Sequence, residues 1–168
     1  RRHSFPTRRS SDLSASVYGL APATTYYFCA IANNSYGTSF GALMSFTTPA
    51  ALPVVSTSSP TTITGTGAVL SGSANPGGAS ASGWFRFSTS SPGSCNDSFG
   101  TRAPSSGGSS LGSGATSVAF SQSISGLSPN TTYYFCAIAS NSAGTGFGSV
   151  LSFITPSPPT VRSEERRV

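Results

Sequence analysis

The chain has 168 residues, a formal charge of +5 and a pI near 9.6, a balance that ordinarily points to nucleic acid or an anionic membrane surface. The placement of the charges argues against that: Arg1, Arg2, Arg8, Arg9 and Asp12 precede Leu13, Arg162, Glu164, Glu165, Arg166 and Arg167 follow Val161, and only Arg86, Asp97 and Arg102 lie between. No run approaches the ~18 apolar residues that a membrane-spanning helix needs, so neither nucleic acid nor membrane insertion is expected as a partner of this segment.

In chain order the first segment, 1–13, ends in HSFPTRRSSDL, which resembles the translation of a widely used sequencing-library adapter. One codon reading of TRRSSDL, taken on the complementary strand, translates as RSEERRV, which is residues 162–168. Selection on a protein does not produce such strand complementarity between its ends. Both ends are therefore read as adapter-derived scars and set aside from fold reasoning.

The next element declares a repeat. GLAPATTYYFCAIANNSYGTSFGALMSFTTP (19–49) aligns without a gap to GLSPNTTYYFCAIASNSAGTGFGSVLSFITP (126–156), an offset of 107 positions, 126 less 19. Residues 14–48 read as the C-terminal half of a truncated module, 49–55 as a linker, 56–156 as a complete module and 157–161 as a second linker. The Pro-containing linkers TTPAALP and TPSPPT suit short spacers between modules.

Inside the complete copy the periods belong to strands. AVLSGSA (68–74), WFRFSTS (84–90), SVAFSQSIS (117–125) and SVLSFIT (149–155) are predicted strands bounded by Gly, Pro, Asn or Ser, with a turn at ANPGG (74–78). In TTYYFCAIA (131–139), Tyr133, Phe135, Ala137 and Ala139 share one face and Tyr134, Cys136 and Ile138 the other. Two apolar faces predict a central strand. Ser91 to Gly114 is a Gly/Ser-rich insertion with no period. Short strands and turns in about 100 residues predict an all-β antiparallel sandwich.

GLSPNTTYYFCAIASNSAGTGFG resembles the end of a fibronectin type III domain, and AVLSGSANPGG followed by WFRF resembles the second and third strands of the bacterial branch of that family. The resemblance implies an immunoglobulin-like sandwich, one complete copy after the C-terminal half of another. It implies that Tyr133, and Tyr26 in the first copy, form the tyrosine corner, whose hydroxyl ties a crossing connection to the sheet. The family's usual second-strand Trp is missing here, leaving Leu70 or Val69 to fill the core. The strand of Trp84 to Phe87 would then lie beside that of Tyr133 to Ala139, so Cys95 and Cys136 could form a disulfide on the outer face. Cys29 would be unpaired because the equivalent of Cys95 falls before the chain begins. The open alternative is three reduced, half-buried thiols. Disulfides imply an extracellular, secreted or cell-surface setting.

Chemistry is constrained by inventory. Between the two ends there is no histidine for a Ser/His/Asp or Cys/His arrangement, and Asp97 is the only carboxylate, whereas glycosidases use two. No catalytic residue, cofactor or metal site is predicted, and the chain is expected not to be an enzyme. Asn96 and Asp97 could bear on a cation, but an Asx turn accounts better for SCNDSFG. Asn33, Asn96 and Asn130 stand in glycosylation sequons that a Ser/Thr-rich chain produces by chance. Trp84, Tyr134 and Phe99, read as exposed, would form a sugar- or protein-binding patch or shield the disulfide. Two roles fit: a spacer or adhesion module contacting neighbouring repeats and extracellular protein or polysaccharide, or an accessory binding module of a secreted polysaccharide-degrading enzyme. The half module 14–48 is expected to be unstable alone, since it exposes a sheet edge.

Overall fold

The computed structural model describes residues 14–159; the adapter-like ends, and the last residues of the 157–161 linker, lie outside the described residues. Thirteen strands and no helix are described, and every strand pair is antiparallel. The first four belong to the half module: β1 (Thr25–Phe28), β2 (Ile31–Asn34), β3 (Gly37–Phe40) and β4 (Met44–Thr47). The remaining nine build a sandwich.

One layer of that sandwich is three-stranded, in the order β10 (Val118–Ser125), β6 (Gly67–Asn75), β5 (Val54–Thr61). The other carries β11 (Thr132–Asn141) at its centre, with β7 (Ala81–Ser88) along one side and β12 (Gly144–Phe147) and β13 (Leu151–Ile154) sharing the other. Beyond β7 lie β8 (Thr101–Ala103) and β9 (Ser109–Gly112). Strict alternation buries Ala68, Leu70, Gly72 and Ala74 of β6 and turns Val69, Ser71 and Ser73 outward. These inward residues, with Phe120 and Ile124 of β10, meet Phe85, Tyr133, Phe135 and Phe153 of the facing layer. Burying a side chain such as Leu70, Phe85 or Phe135, each 0% exposed, contributes roughly 1.5–3 kcal/mol, so this seam is the main source of cohesion.

Two glycines set how closely the layers approach. A Cβ on Gly72 would lie 2.8 Å from the Cβ of Ala137, and one on Gly83 would lie 2.9 Å from the Phe120 ring. Phe120 can therefore lie against β7 and tilt onto Phe85, with ring centroids 5.0 Å apart.

The predicted strands 68–74, 117–125 and 149–155 correspond to β6, β10 and β13, and β7 starts three residues before the predicted 84. The linker read at 49–55 is shorter in the structure, because β5 already begins at Val54. Its sequence, VVSTSSPT, is too polar to announce a strand, and Pro60 sits at the register shift between Ser58 and Thr61, where a missing N–H does least harm. The insertion at 91–114 also holds two strands, β8 and β9, pinned by pairing to β7 rather than by any period of their own.

The half module repeats the local geometry of its counterpart. Tyr26 pairs with Phe46 as Tyr133 pairs with Phe153, and Ile31 with Phe40 as Ile138 with Phe147, in the same register throughout. The turns match as well: φ is +47° at Ala23 and +51° at Asn130, the left-handed region that Asn tolerates better than Ala. Packing is what differs. Phe135 is 0% exposed and its counterpart Phe28 50%.

Candidate functional site

β11 is buried on both faces, and its outer face carries a second, smaller core. Cys136 and Ile138 project there beside Trp84 of β7, and Cys95, Phe99 and Val150 pack against them. Cys95 lies on the segment that follows β7, and β7 pairs Arg86 opposite Cys136, so the chain returning from β7 passes over Cys136. Cys95 and Cys136 form a disulfide with Cα atoms 5.9 Å apart, closing a sequence separation of 41. A loop of that size contributes about 4 kcal/mol in the chain-entropy account. Cys29 is an exposed free thiol.

The charged groups converge on the same place. Arg86 Nε donates to Asp97 Oδ1 at 2.9 Å, and Trp84 Nε1 donates to the same oxygen at 2.9 Å. Arg102 lies over the Trp84 ring, its guanidinium carbon 4.6 Å from the centroid, and donates to the carbonyls of Pro104 and Gly107. Arg86, Asp97 and Arg102 are the only charged side chains of the described residues, and all three clamp the loop that carries Cys95. Burial raises the Asp97 pKa, but hydrogen bonds from Trp84 and Arg86 and the charges of Arg86 and Arg102 outweigh it, leaving the carboxyl below its ordinary range.

The cap decides between the two readings of these aromatics in favour of the one that has them shield the disulfide. Trp84 is not an exposed platform: it is 8% exposed, held between the disulfide core and Arg102. Phe99 packs into the same core, and Tyr134 is half-buried. A sugar ring finds no free Trp face here. Asn96 forms an Asx turn, its Oδ1 accepting from Ser98 N and Phe99 N at 3.0 Å each, and Asp97 is engaged by Arg86 and Trp84. The sequon residues Asn33 and Asn130 are exposed, Asn33 within β2 and Asn130 in the turn before β11.

Both tyrosines close a loop of the same size. Tyr133 Oη accepts from Ser128 N at 3.0 Å and Tyr26 Oη from Ala21 N at 2.8 Å, each five residues upstream. Next to them stands a motif that the sequence reading missed. Thr155 Oγ1 donates to Ser128 O at 2.7 Å and accepts from Thr131 N at 3.0 Å, and Thr48 does the same with Ala21 O (2.6 Å) and Thr24 N (3.0 Å). Thr155 is fully buried, yet its hydroxyl is satisfied. The signal was available: Thr48 and Thr155 occupy the same place in both copies, just before Pro49 and Pro156. Arg86 and Arg102 also carried a signal, as rare charges in an almost uncharged chain.

No protein-family model matches the chain, and no curated protein matches it. Among solved structures it is similar to domains d3 and d4 of the extracellular region of rat CD45, at 16% identity and a TM-score of 0.52, over 92% of this chain and 79% of that one. It is also similar to the sensor domain of the anti-sigma factor RsgI4 of Pseudobacteroides cellulosolvens, in its long form, at 20% identity and a TM-score of 0.44, over 67% of this chain and 98% of that one. The fold is an all-β, immunoglobulin-like antiparallel β-sandwich, and residues 19–49 repeat the sequence and strand pairing of its C-terminal part, 126–156.

Proposed function

We propose that the chain is a non-catalytic stretch of tandem modules from a larger secreted or surface protein, serving as spacer and adhesion or interaction unit. The observation that carries this reading is repetition of one structural unit down to its hydrogen bonds: the Tyr corner, the Thr latch and both hairpin registers recur at 107 positions' separation, 155 less 48. Repetition of one scaffold along the chain is what an array of spacers requires. The buried disulfide supports an extracellular setting, because such a staple persists only under oxidising conditions. Burial of Trp84 takes the single described tryptophan away from the polysaccharide-binding alternative as a stacking platform.

Co-sedimentation of the oxidised protein with insoluble cellulose, chitin and xylan tests the choice. The protein is expected to stay in the supernatant with all three. Depletion by any one, reversed by the soluble oligosaccharide, would favour the accessory binding module instead.

A further inference from the structure

The half module presents an apolar sheet face that its counterpart shows how to cover. Tyr26, Phe28, Ala30, Ala32, Met44 and Phe46 occupy, at the same offset and in the same strand register, the places of Tyr133, Phe135, Ala137, Ala139, Leu151 and Phe153. The latter set packs under β5, β6 and β10. The former is open, with Phe28 50% and Phe46 42% exposed beside a groove of about 620 Å³ that Val17, Leu20, Phe28 and Phe46 help to line. Cys29, an exposed free thiol that also borders this groove, stands at the offset of Cys136, which is in the disulfide.

We propose that this face is the receiving half of a sandwich and that its occupant is a half-sandwich of this repeat's own type: strands equivalent to β5, β6, β7 and the first residues of β10, with a cysteine in the loop after the third. Three features select that occupant. In the complete copy the aromatic layer meets a β6 face of alternating size, Ala68, Leu70, Gly72 and Ala74, flanked by Phe120 and Ile124, so bulk and hollow interleave. Two copies of the 14–48 face brought together would instead set Phe28 and Phe46 against their own equivalents. Second, Thr57 Oγ1 of β5 accepts from Ala137 N at 3.0 Å, at the break between β12 and β13, where Gly148 N donates to Ala137 O at 2.8 Å. Gly41 N donates to Ala30 O at 2.7 Å, so Ala30 is already arranged for a threonine of the β5 kind. Third, Cys29 calls for a thiol in the position of Cys95. Its pairing is an exchange: two thiols lose two protons and two electrons to form one S–S bond, and one oxidised glutathione is reduced to two glutathione molecules.

The test duplicates residues 51–120 in front of Ser14 in the otherwise full chain, replacing 1–13; Phe120 joins Ser14 because Ser14 stands 107 positions before Ser121, 121 less 14. After refolding with glutathione, maleimide-reactive thiols are expected to fall from one per chain to none, with a Cys29-linked peptide in the nonreducing map. Amide protection of β1 and β4 is expected to rise to that of β11 and β13, which serve as the internal folding control. The extended chain carrying Cys29→Ser should keep that protection. A thiol at Cys29 that stays reactive, or protection that vanishes in Cys29→Ser, would overturn the proposal. So would a concentration-dependent dimer of the original chain that buries Phe28, which would assign the face to a second copy. The inference rests on the repeat and not on the proposed role: retention on a polysaccharide would overturn that role and leave this result unaffected.

Discussion

Asp97 shows how much one side chain can organise in a chain almost without charge. Its carboxylate accepts from Trp84 and Arg86, and its pKa lies below the ordinary value, so the sign of its pH effect is determined. A depressed folded pKa stabilises the fold above the unfolded value of about 3.9, and the contribution is lost as pH falls through the folded pKa. Asp97→Asn should therefore lower stability at neutral pH and converge with the parent as pH falls below the unfolded value and through the lowered folded one. Because the Asp97 side chain is 42% exposed, the neutral-pH loss should stay under about 1 kcal/mol. Urea unfolding of both proteins across that range, followed by the single tryptophan, measures it. Tyr133→Phe offers a second test at this scale: it takes the acceptor from the N–H of the exposed Ser128 and should cost roughly 1 kcal/mol in the complete module. A chemical-denaturation midpoint unchanged by Tyr133→Phe would show that the corner hydroxyl is replaced by water.

Among the elements, β11 was the most legible in sequence and β5 the least, for one physical reason. β11 is apolar on both faces because a core lies on each side of it, and TTYYFCAIA displays both sets of residues by simple alternation. β5 has one face toward the core, and its inward positions include Thr57, whose role is a hydrogen bond to Ala137 N rather than hydrophobic burial. No hydropathy pattern records that. The segment 89–104 was illegible in another way, since what orders it is non-local: Arg86, Trp84 and Cys136 lie on other strands, and so Trp84 read as exposed when it is covered by residues 95–102. The disulfide, implied by the family resemblance, lies where the alternation of β11 put Cys136. Replacing Cys95 and Cys136 together by Ala should cost about 4 kcal/mol and uncover Trp84, shifting its emission to longer wavelength in the folded state. A loss of stability with unshifted emission would mean that Arg102 and Asp97 hold the cap without the staple.

At the scale of the whole molecule the question is how the half module and the complete one are joined. The residues between them are held rather than free: Ala51 N donates to Gly77 O at 2.8 Å, and Asn141 Nδ2 donates to Ala51 O at 2.7 Å and to Pro76 O at 2.8 Å. Asn141 does this while its Oδ1 accepts from Ala143 N at 2.8 Å, closing its own hairpin loop. Tyr36 N donates to the equivalent Asn34 Oδ1 at 2.9 Å, so the loop bond belongs to the module and recurs in both copies. A side-chain amide that closes a turn and grips a connecting strand transmits the orientation of one to the other. Asn141→Ala removes both functions; Asn141→Asp keeps the Oδ1 acceptor but replaces the two donated bonds with a carboxylate oxygen facing the carbonyls of Ala51 and Pro76. If the joint depends on those bonds, Asn141→Asp should speed amide exchange at Ala51 and broaden the solution scattering envelope of the chain, with the unfolding midpoint of the complete module shifted by no more than about 1 kcal/mol. Unchanged exchange at Ala51 would place the restraint in Pro49 and Pro53 instead, since proline alone stiffens a short connection.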